Sequence, residues 1–526
     1  RPPRGSALAK RFPRGSFRIE PLAGSAIERV GGDELLFPEG RSRGETMLVV
    51  VAAPTRRFAL RIEGRLVDDS VDRPAADALA PTLAPALRVT APPSSPLAEP
   101  LARLAEIVPW FAHDAFVHYL SPRGLEQFSG GGWGTRDVCQ GPVELLLALD
   151  RPEPIRDLLL RVMRAQDRSG DWPQWFTFFE RERAIRAGDS HGDIVFWPLL
   201  ALAQYLLATG DASVLDEPLP YHQRRLTPRS ARPTLWQHAR RALALIGRRT
   251  IAGTALAAYG HGDWNDALQP ADPAMREHMC SAWTVTLHHH MLVTLARALR
   301  SIGRERDAAR LAAQADAVRR DFQRLLVVDG VLAGYALFDG GDVRHLLHPR
   351  DAATGVRYSA LAMIHAIAED LFTPAQAREH LQLIERHLLG PDGLRLFDRP
   401  LDYRGGVQRH FQRAETATFF GREIGLMYMH AHLRWAQALA HVGNAAGFFR
   451  ALCQADPIGI ANVVPGATLR QANCYYSSSD AAFRDRAQAS AEYGRAADGT
   501  IALDGGWRVY SSGAGIALGL IVRRLL

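Results

Sequence analysis

From about residue 141 to 450, apolar residues recur with helical period, and this recurrence constrains the fold more than any other feature of the chain. The period runs through Glu144 to Leu149, Ile155 to Ala165, Ile194 to Leu207, Leu235 to Ile246, Ser281 to Ser301 and Asp307 to Leu326. It resumes in Tyr358 to Leu371, Pro374 to Leu388 and Ile424 to His441. Several stretches stop at glycine turns, as at Thr209-Gly210-Asp211 and Val442-Gly443-Asn444. About a dozen helices in consecutive pairs predict a mostly α protein built on an (α/α)6 toroid. Inner and outer helices would alternate, and the longer loops, which carry the Trp, Asp and His residues, would form a cleft at one end.

The flanks read differently. Residues 1–92 carry short strand-like runs, Met47 to Val51 and Phe58 to Ile62, and predict a partial N-terminal β-sandwich. The Pro/Ala/Ser-rich stretch Pro81 to Pro100 reads as a linker, and 93–120 as a linker helix. The barrel is expected over 121–455. A small C-terminal β module is expected over 456–526, with strand-like runs at Ile458 to Val464, Asn473 to Ser477 and Trp507 to Ser511. No apolar run reaches the roughly 20 residues of a membrane span. The chain opens on Arg without a signal-peptide pattern, so a fragment or processed product is expected.

Lys10 is the single lysine among 63 basic residues, which points to compositional bias; with no basic run interleaved with aromatics, a nucleic-acid partner is not expected. Cys139, Cys280, Cys453 and Cys474 form no CxxC pair and match no zinc spacing. A reduced, cytoplasmic protein is expected, with neither metal nor cofactor.

Five loop residues carry the clearest chemistry, Gly262-Asp263-Trp264-Asn265-Asp266. An indole packs on the apolar face of a pyranose, and a carboxyl in apolar surroundings has its pKa raised toward working pH. The same residues also suit an Asp/Asn-rich turn. The loop Gly130 to Gly141 offers Arg136 and Asp137 to sugar hydroxyls, or an Arg–Asp pair bracing a Gly-rich turn. Gly170-Asp171-Trp172-Pro173-Gln174-Trp175 supplies two indoles for stacking or for the core. Asp189-Ser190-His191-Gly192-Asp193 precedes a helix that its Asp would otherwise cap. Glu423 and His430 stand seven apart, two helical turns, and could share one face. Consecutive positions on a helix diverge, so His288-His289-His290 is read as structural. Tyr510 to Gly515 could present backbone N–H groups to an anion or form a plain turn.

In this order the motifs resemble the inverting glycoside phosphorylases related to cellobiose and chitobiose phosphorylase. The stretches Trp133 to Pro142 and Asn473 to Asp480 are most similar to the 1,2-β-oligoglucan phosphorylase branch and to the C-terminal part of cyclic β-1,2-glucan synthases. The resemblance covers roughly residues 100 to 526. It implies Asp266 as general acid, with Trp264, Arg136 and Glu423 at the sugar; Asp137, Asp193 and Trp172 are expected there from the loops that carry them. It places His430 and the turn of Ser511, Ser512 and Gly513 at phosphate, with Arg123 as a guess for a further phosphate-binding Arg. Gly141 departs from the Asp that cellobiose-type members often carry after the Gln. The family's large N-terminal β-sandwich is matched here only in its last part.

The expected reaction is phosphorolysis of β-linked, expectedly β-1,2, glucooligosaccharides to α-glucose 1-phosphate. Phosphate is a co-substrate that supplies the nucleophile, so one carboxylic acid suffices. The alternatives are an inverting hydrolase with Glu423 as general base, or a glucan-binding domain of a larger synthase. The cytoplasmic part of a membrane-associated synthase fits the same pattern, and a homodimer is left open.

Overall fold

The computed structural model describes residues 15–44, 47–66, 89–120, 132–177, 184–222, 232–424, 427–506, 508 and 512–526. The chain divides into two compact units, one of residues 1–82 with 180–182 and one holding the remainder. In the first unit, β1 (Gly15–Pro21) pairs antiparallel with β4 (Leu60–Leu66), and β2 (Ile27–Gly31) with β3 (Val49–Ala52). Asp33, buried in the turn after β2, accepts from the Arg43 backbone N–H at 2.7 Å.

The second unit is mostly helical. Its helices of eight or more residues are α1 (Ala98–Leu120), α2 (Gly141–Ala148), α3 (Pro152–Arg164), α4 (Phe196–Thr209), α5 (Leu235–Arg248) and α6 (Ala282–Ser301). They continue with α7 (Glu305–Leu325), α8 (Ala360–Ala368), α9 (Pro374–His387), α10 (Met429–His441), α11 (Ala445–Gln454) and α12 (Gly513–Leu520). Two kinds alternate. α4, α8 and α12 are apolar nearly all round and buried, as for α4 from Phe196 through Leu206. α3 and α7 instead bury one stripe, Ile155, Leu158, Leu159, Val162 and Met163 in α3, and carry charge opposite. A helix apolar on every face needs neighbours on every side, whereas an amphipathic one needs only one.

The packing follows that alternation. α4 contacts α6, α6 contacts α8, α8 contacts α10, α10 contacts α12, and α12 contacts α2. The short helix Thr135–Val138 touches both α2 and α4. Outside them, α3 lies on α4, α7 on α6, α9 on α8 and α11 on α10. Thr234 and Thr373 start α5 and α9 with reciprocal capping boxes to Gln237 and Gln376.

Three expectations change. The helix read as a linker is α1, which buries Leu104, Ile107, Val108 and Phe111 and packs on α2 and α12. The C-terminal β module is largely helical: Ile460–Val463 is a helical turn, and the two-stranded sheet is Ser479–Ala481 with Leu503–Gly505. The apolar closing run folds as α12 because its Gly and Ala residues let it wedge between α1, α2 and α10. Finally, Ile424 to His441 is not one helix: Arg422–Ile424 is a single 3-10 turn and α10 starts at Met429, after Met427 and Tyr428 bridge to Arg395 and Ser478.

Candidate active site

Five helices, α2, α4, α6, α10 and α12, bring their N-terminal ends and the loops before them to the motif residues. Gly132–Gly134 pairs with Trp175–Thr177 and delivers Thr135–Val138, whose Thr135 Oγ1 donates to Pro173 O at 2.6 Å. Arg136 is thereby buried. Its Nη1 donates to Asp193 Oδ2 at 3.1 Å and Oδ1 at 3.3 Å, and its Nη2 to Asp266 Oδ1 at 3.2 Å. Burial works against the Arg136 charge, but Asp193, Asp266 and Asp137 outweigh it and hold its pKa above the ordinary value. Asp193, one turn before α4, has no accessible surface; its Oδ2 also accepts from Trp197 Nε1 at 2.9 Å. Its two oxygens therefore orient Arg136, and any effect on a ligand passes through that guanidinium. Asp137 folds back against Gly134.

The two acids of the Gly262 to Asp266 loop have opposite environments. Asp263 is 1% exposed. It accepts from Ser281 Oγ at 2.6 Å, Thr284 Oγ1 at 3.1 Å and the Asn265 N–H at 3.0 Å. Ser281 is the N-cap of α6, so Asp263 ties the loop to the positive end of that helix. Burial, with the nearby Asp193 charge, pushes its carboxyl up to about 7. The raised carboxyl expected of this loop is thus Asp263, the acid that lost its water. The Asp266 side chain is 39% exposed, with Arg136 and His191 Nδ1 (3.5 Å) against one oxygen. His191 was passed over in the motif that supplied Asp193. It is buried, with Nδ1 3.1 Å from Asp263 O and Nε2 3.0 Å from Gln269 Nε2. Donation from Nδ1 and acceptance at Nε2 satisfy both contacts. Its setting, between two acids and beside a glycine, was the available signal.

Trp264 is half-buried, with its ring centroid 5.0 Å from Tyr428, edge to face, and 4.9 Å from His430. His430, in the first turn of α10, is buried. Burial first, then Arg434, His365 and Arg136, hold its pKa well below the ordinary value. A ring held neutral would meet an anion as an N–H donor and not as a cation. Ser512, also buried, abuts Gly141: a Cβ there would lie 2.6 Å from Ser512 Cα and O, so only glycine admits this approach. Gly513 starts α12 beside Tyr475. Ser511 and Arg123 lie outside the described residues.

Two expected site residues are placed otherwise. Trp172 is fully buried, and its Nε1 donates to Val162 O at 2.8 Å, so its faces are core surface and are not offered for stacking. Glu423 does not share a helix face with His430, because Met427 and Tyr428 between them are extended; its Oε1 accepts from Arg413 Nη1 at 2.9 Å.

The profile of the glycosyl hydrolase 94 superfamily catalytic domain matches residues 101–502. The chain belongs to that family. Among its relatives is a 1,2-beta-oligoglucan phosphorylase of Listeria innocua, 38% identical over 100% of this chain and 48% of its own length. An N,N'-diacetylchitobiose phosphorylase of Vibrio proteolyticus is 21% identical over 58% of this chain and 38% of its own. A cyclic beta-(1,2)-glucan synthase of Rhizobium meliloti is 28% identical over 30% of this chain and 6% of its own. The chain spans about half the length of the first of these glycosyl hydrolase 94 relatives and less of the others. Among the described residues, no helix is long and apolar enough to cross a membrane.

Proposed function

We propose that this chain carries the catalytic machinery for inverting phosphorolysis of β-1,2-linked glucooligosaccharides. One observation carries the reading: Arg136 and Asp266, 130 residues apart in sequence, meet at 3.2 Å with the Asp266 carboxylate accessible. Family membership and the oligoglucan phosphorylase relative support the substrate class. The cyclic succession of contacts through α2, α4, α6, α8, α10 and α12 supports an (α/α)6 toroid, and β1 to β4 are read as part of an N-terminal sandwich.

In this reading a glucosyl unit packs on Trp264, and its hydroxyls take over the Arg136 donors. Protonated Asp266 gives its proton to the glycosidic oxygen as the bond to the anomeric carbon breaks. A phosphate oxygen forms the new bond from the opposite face, inverting β to α. His430, Ser512 and the Gly513 N–H hold the phosphate by hydrogen bonds. The positive N-terminal ends of α10 and α12 favour an anion there. Asp193 and Asp137 keep Arg136 in place, and no cofactor takes part. Glu423 is engaged by Arg413, which weighs against its acting as a base on water.

The test is to supply β-1,2-glucooligosaccharides with and without phosphate. Glucose 1-phosphate that forms only with phosphate supports the reading. Release of glucose or shorter glucans regardless of phosphate would make the chain a hydrolase. Glucan binding without turnover would make it a binding domain.

A further inference from the structure

One to two turns beyond the candidate active site, the same inner helices enclose a cavity of about 210 Å³. α2, α4, α6, α8, α10 and α12 all contribute to its wall, and Arg523 and Arg524 follow α12 there. Asp266, Trp264 and His430 do not line it.

Trp197, Leu200, Leu287, Ile364 and Leu520 share this wall with charged side chains, which a closed helical core ordinarily excludes. Glu144, 7% exposed, receives Arg434 Nη2 at 2.5 Å and Arg523 Nη2 at 3.1 Å. Burial would raise the Glu144 pKa, but the two guanidiniums outweigh it and lower it, so the carboxylate is ionised. One carboxylate thus answers two guanidiniums. The other lining carboxylate, Glu369, is engaged by His290, and a third guanidinium, Arg524, stands at the exposed end. A positive surplus at a partly buried site is costly without a counter-ion.

Arg523 reaches inward because residue 519 is glycine: a Cβ there would lie 2.6 Å from Arg523 Nη2. Glycine inside a helix is less stable than alanine, and here its space is taken by the guanidinium. Gln140, 2% exposed, donates its Nε2 to Arg136 O at 3.3 Å, while its Oε1 has no hydrogen-bond partner.

We propose that this cavity is a second anion site, taking a small oxyanion such as hydrogen phosphate against Arg434 and Arg523. Arg523 and Arg524 at the open end would draw the anion in.

Calorimetric titration of the full chain with inorganic phosphate, in the absence of sugar, tests this. Three variants are compared with the parent: His430→Asn, the double variant Arg523→Gln/Arg524→Gln, and Gly519→Ala. Binding is expected to survive in His430→Asn. It is expected to weaken by about tenfold or more in the double variant, and also in Gly519→Ala, whose methyl displaces Arg523. Sulfate competes and glucose does not. The double variant leaves Glu144 paired with Arg434, and its melting temperature in phosphate-free buffer separates any loss of stability from the loss of binding. Phosphate binding abolished by His430→Asn and unchanged in the double variant overturns the proposal. So does the absence of phosphate binding in the parent, or glucose displacing the anion.

Discussion

At the residue scale, the deciding difference is between two aspartates three positions apart. Asp263 gives up solvent to anchor its loop to Ser281 and Thr284, which leaves Asp266 at the accessible end of the turn. Asp266→Asn is therefore expected to lower kcat by about 10²–10⁴-fold with a small change in KM, read as glucose 1-phosphate release. Asp263→Asn should act on stability. The Asp263 carboxyl, at about 7 in the fold against 3.8 in the unfolded chain, holds its proton through a range where the unfolded chain has released its own. Its contribution is present below about pH 4 and lost as pH rises to about 7. Because the buried histidines act in the opposite sense, the variant's melting temperature should consequently fall more steeply than the parent's on acidification across that window. Arg136→Met would leave Asp193 buried and uncompensated, at a cost of about 3–5 kcal/mol in denaturant unfolding. The charge types of this cluster were legible in the motifs. Their division of labour was not, because burial is set by residues far away in sequence.

At the element scale, helical periodicity was a faithful guide where one face meets a continuous neighbour, as in α3, α5, α6, α7 and α9. It failed at Ile424 to His441. The apolar spacing continues there, yet the backbone leaves the helix to bridge Arg395 and Ser478 before α10 begins. It also failed at the closing run, where eight small and apolar residues carry no period and buried surroundings on every side select a helix. The capping boxes at Thr234 and Thr373 are local and readable; Thr→Ala at either should cost about 1 kcal/mol, measured by urea unfolding. Gly141→Ala probes contact between elements. Its methyl would push on Ser512, costing about 1–3 kcal/mol and raising KM for phosphate more than KM for glucan.

At the scale of the whole molecule, the helical unit buries histidines as neutral rings. His432 accepts the Leu394 N–H at Nδ1 and donates from Nε2 to Ala451 O. His380 accepts the Leu332 N–H and donates to Gln376 O. Burial lowers both to about 4 from 6.5. A depressed histidine contributes stability that is present above pH 6.5 and lost as pH falls toward 4, since the unfolded chain takes up the proton first. His118, His238 and His289 add in the same direction. They oppose the carboxyl effect of Asp263 and outnumber it, so the melting temperature should fall from pH 7 to pH 4. A rise on acidification would mean that these rings are not buried. By itself the sequence determined the helical class and the family motifs, because each is written in neighbouring residues. Only the tertiary structure decided that Trp172 is core, that Glu423 and His430 part company, that His191 stands beside Asp266, and that Glu144, Arg434 and Arg523 line one cavity. Those outcomes depend on which distant segments exclude water from a side chain, and solvent exclusion is a property of the assembled helices.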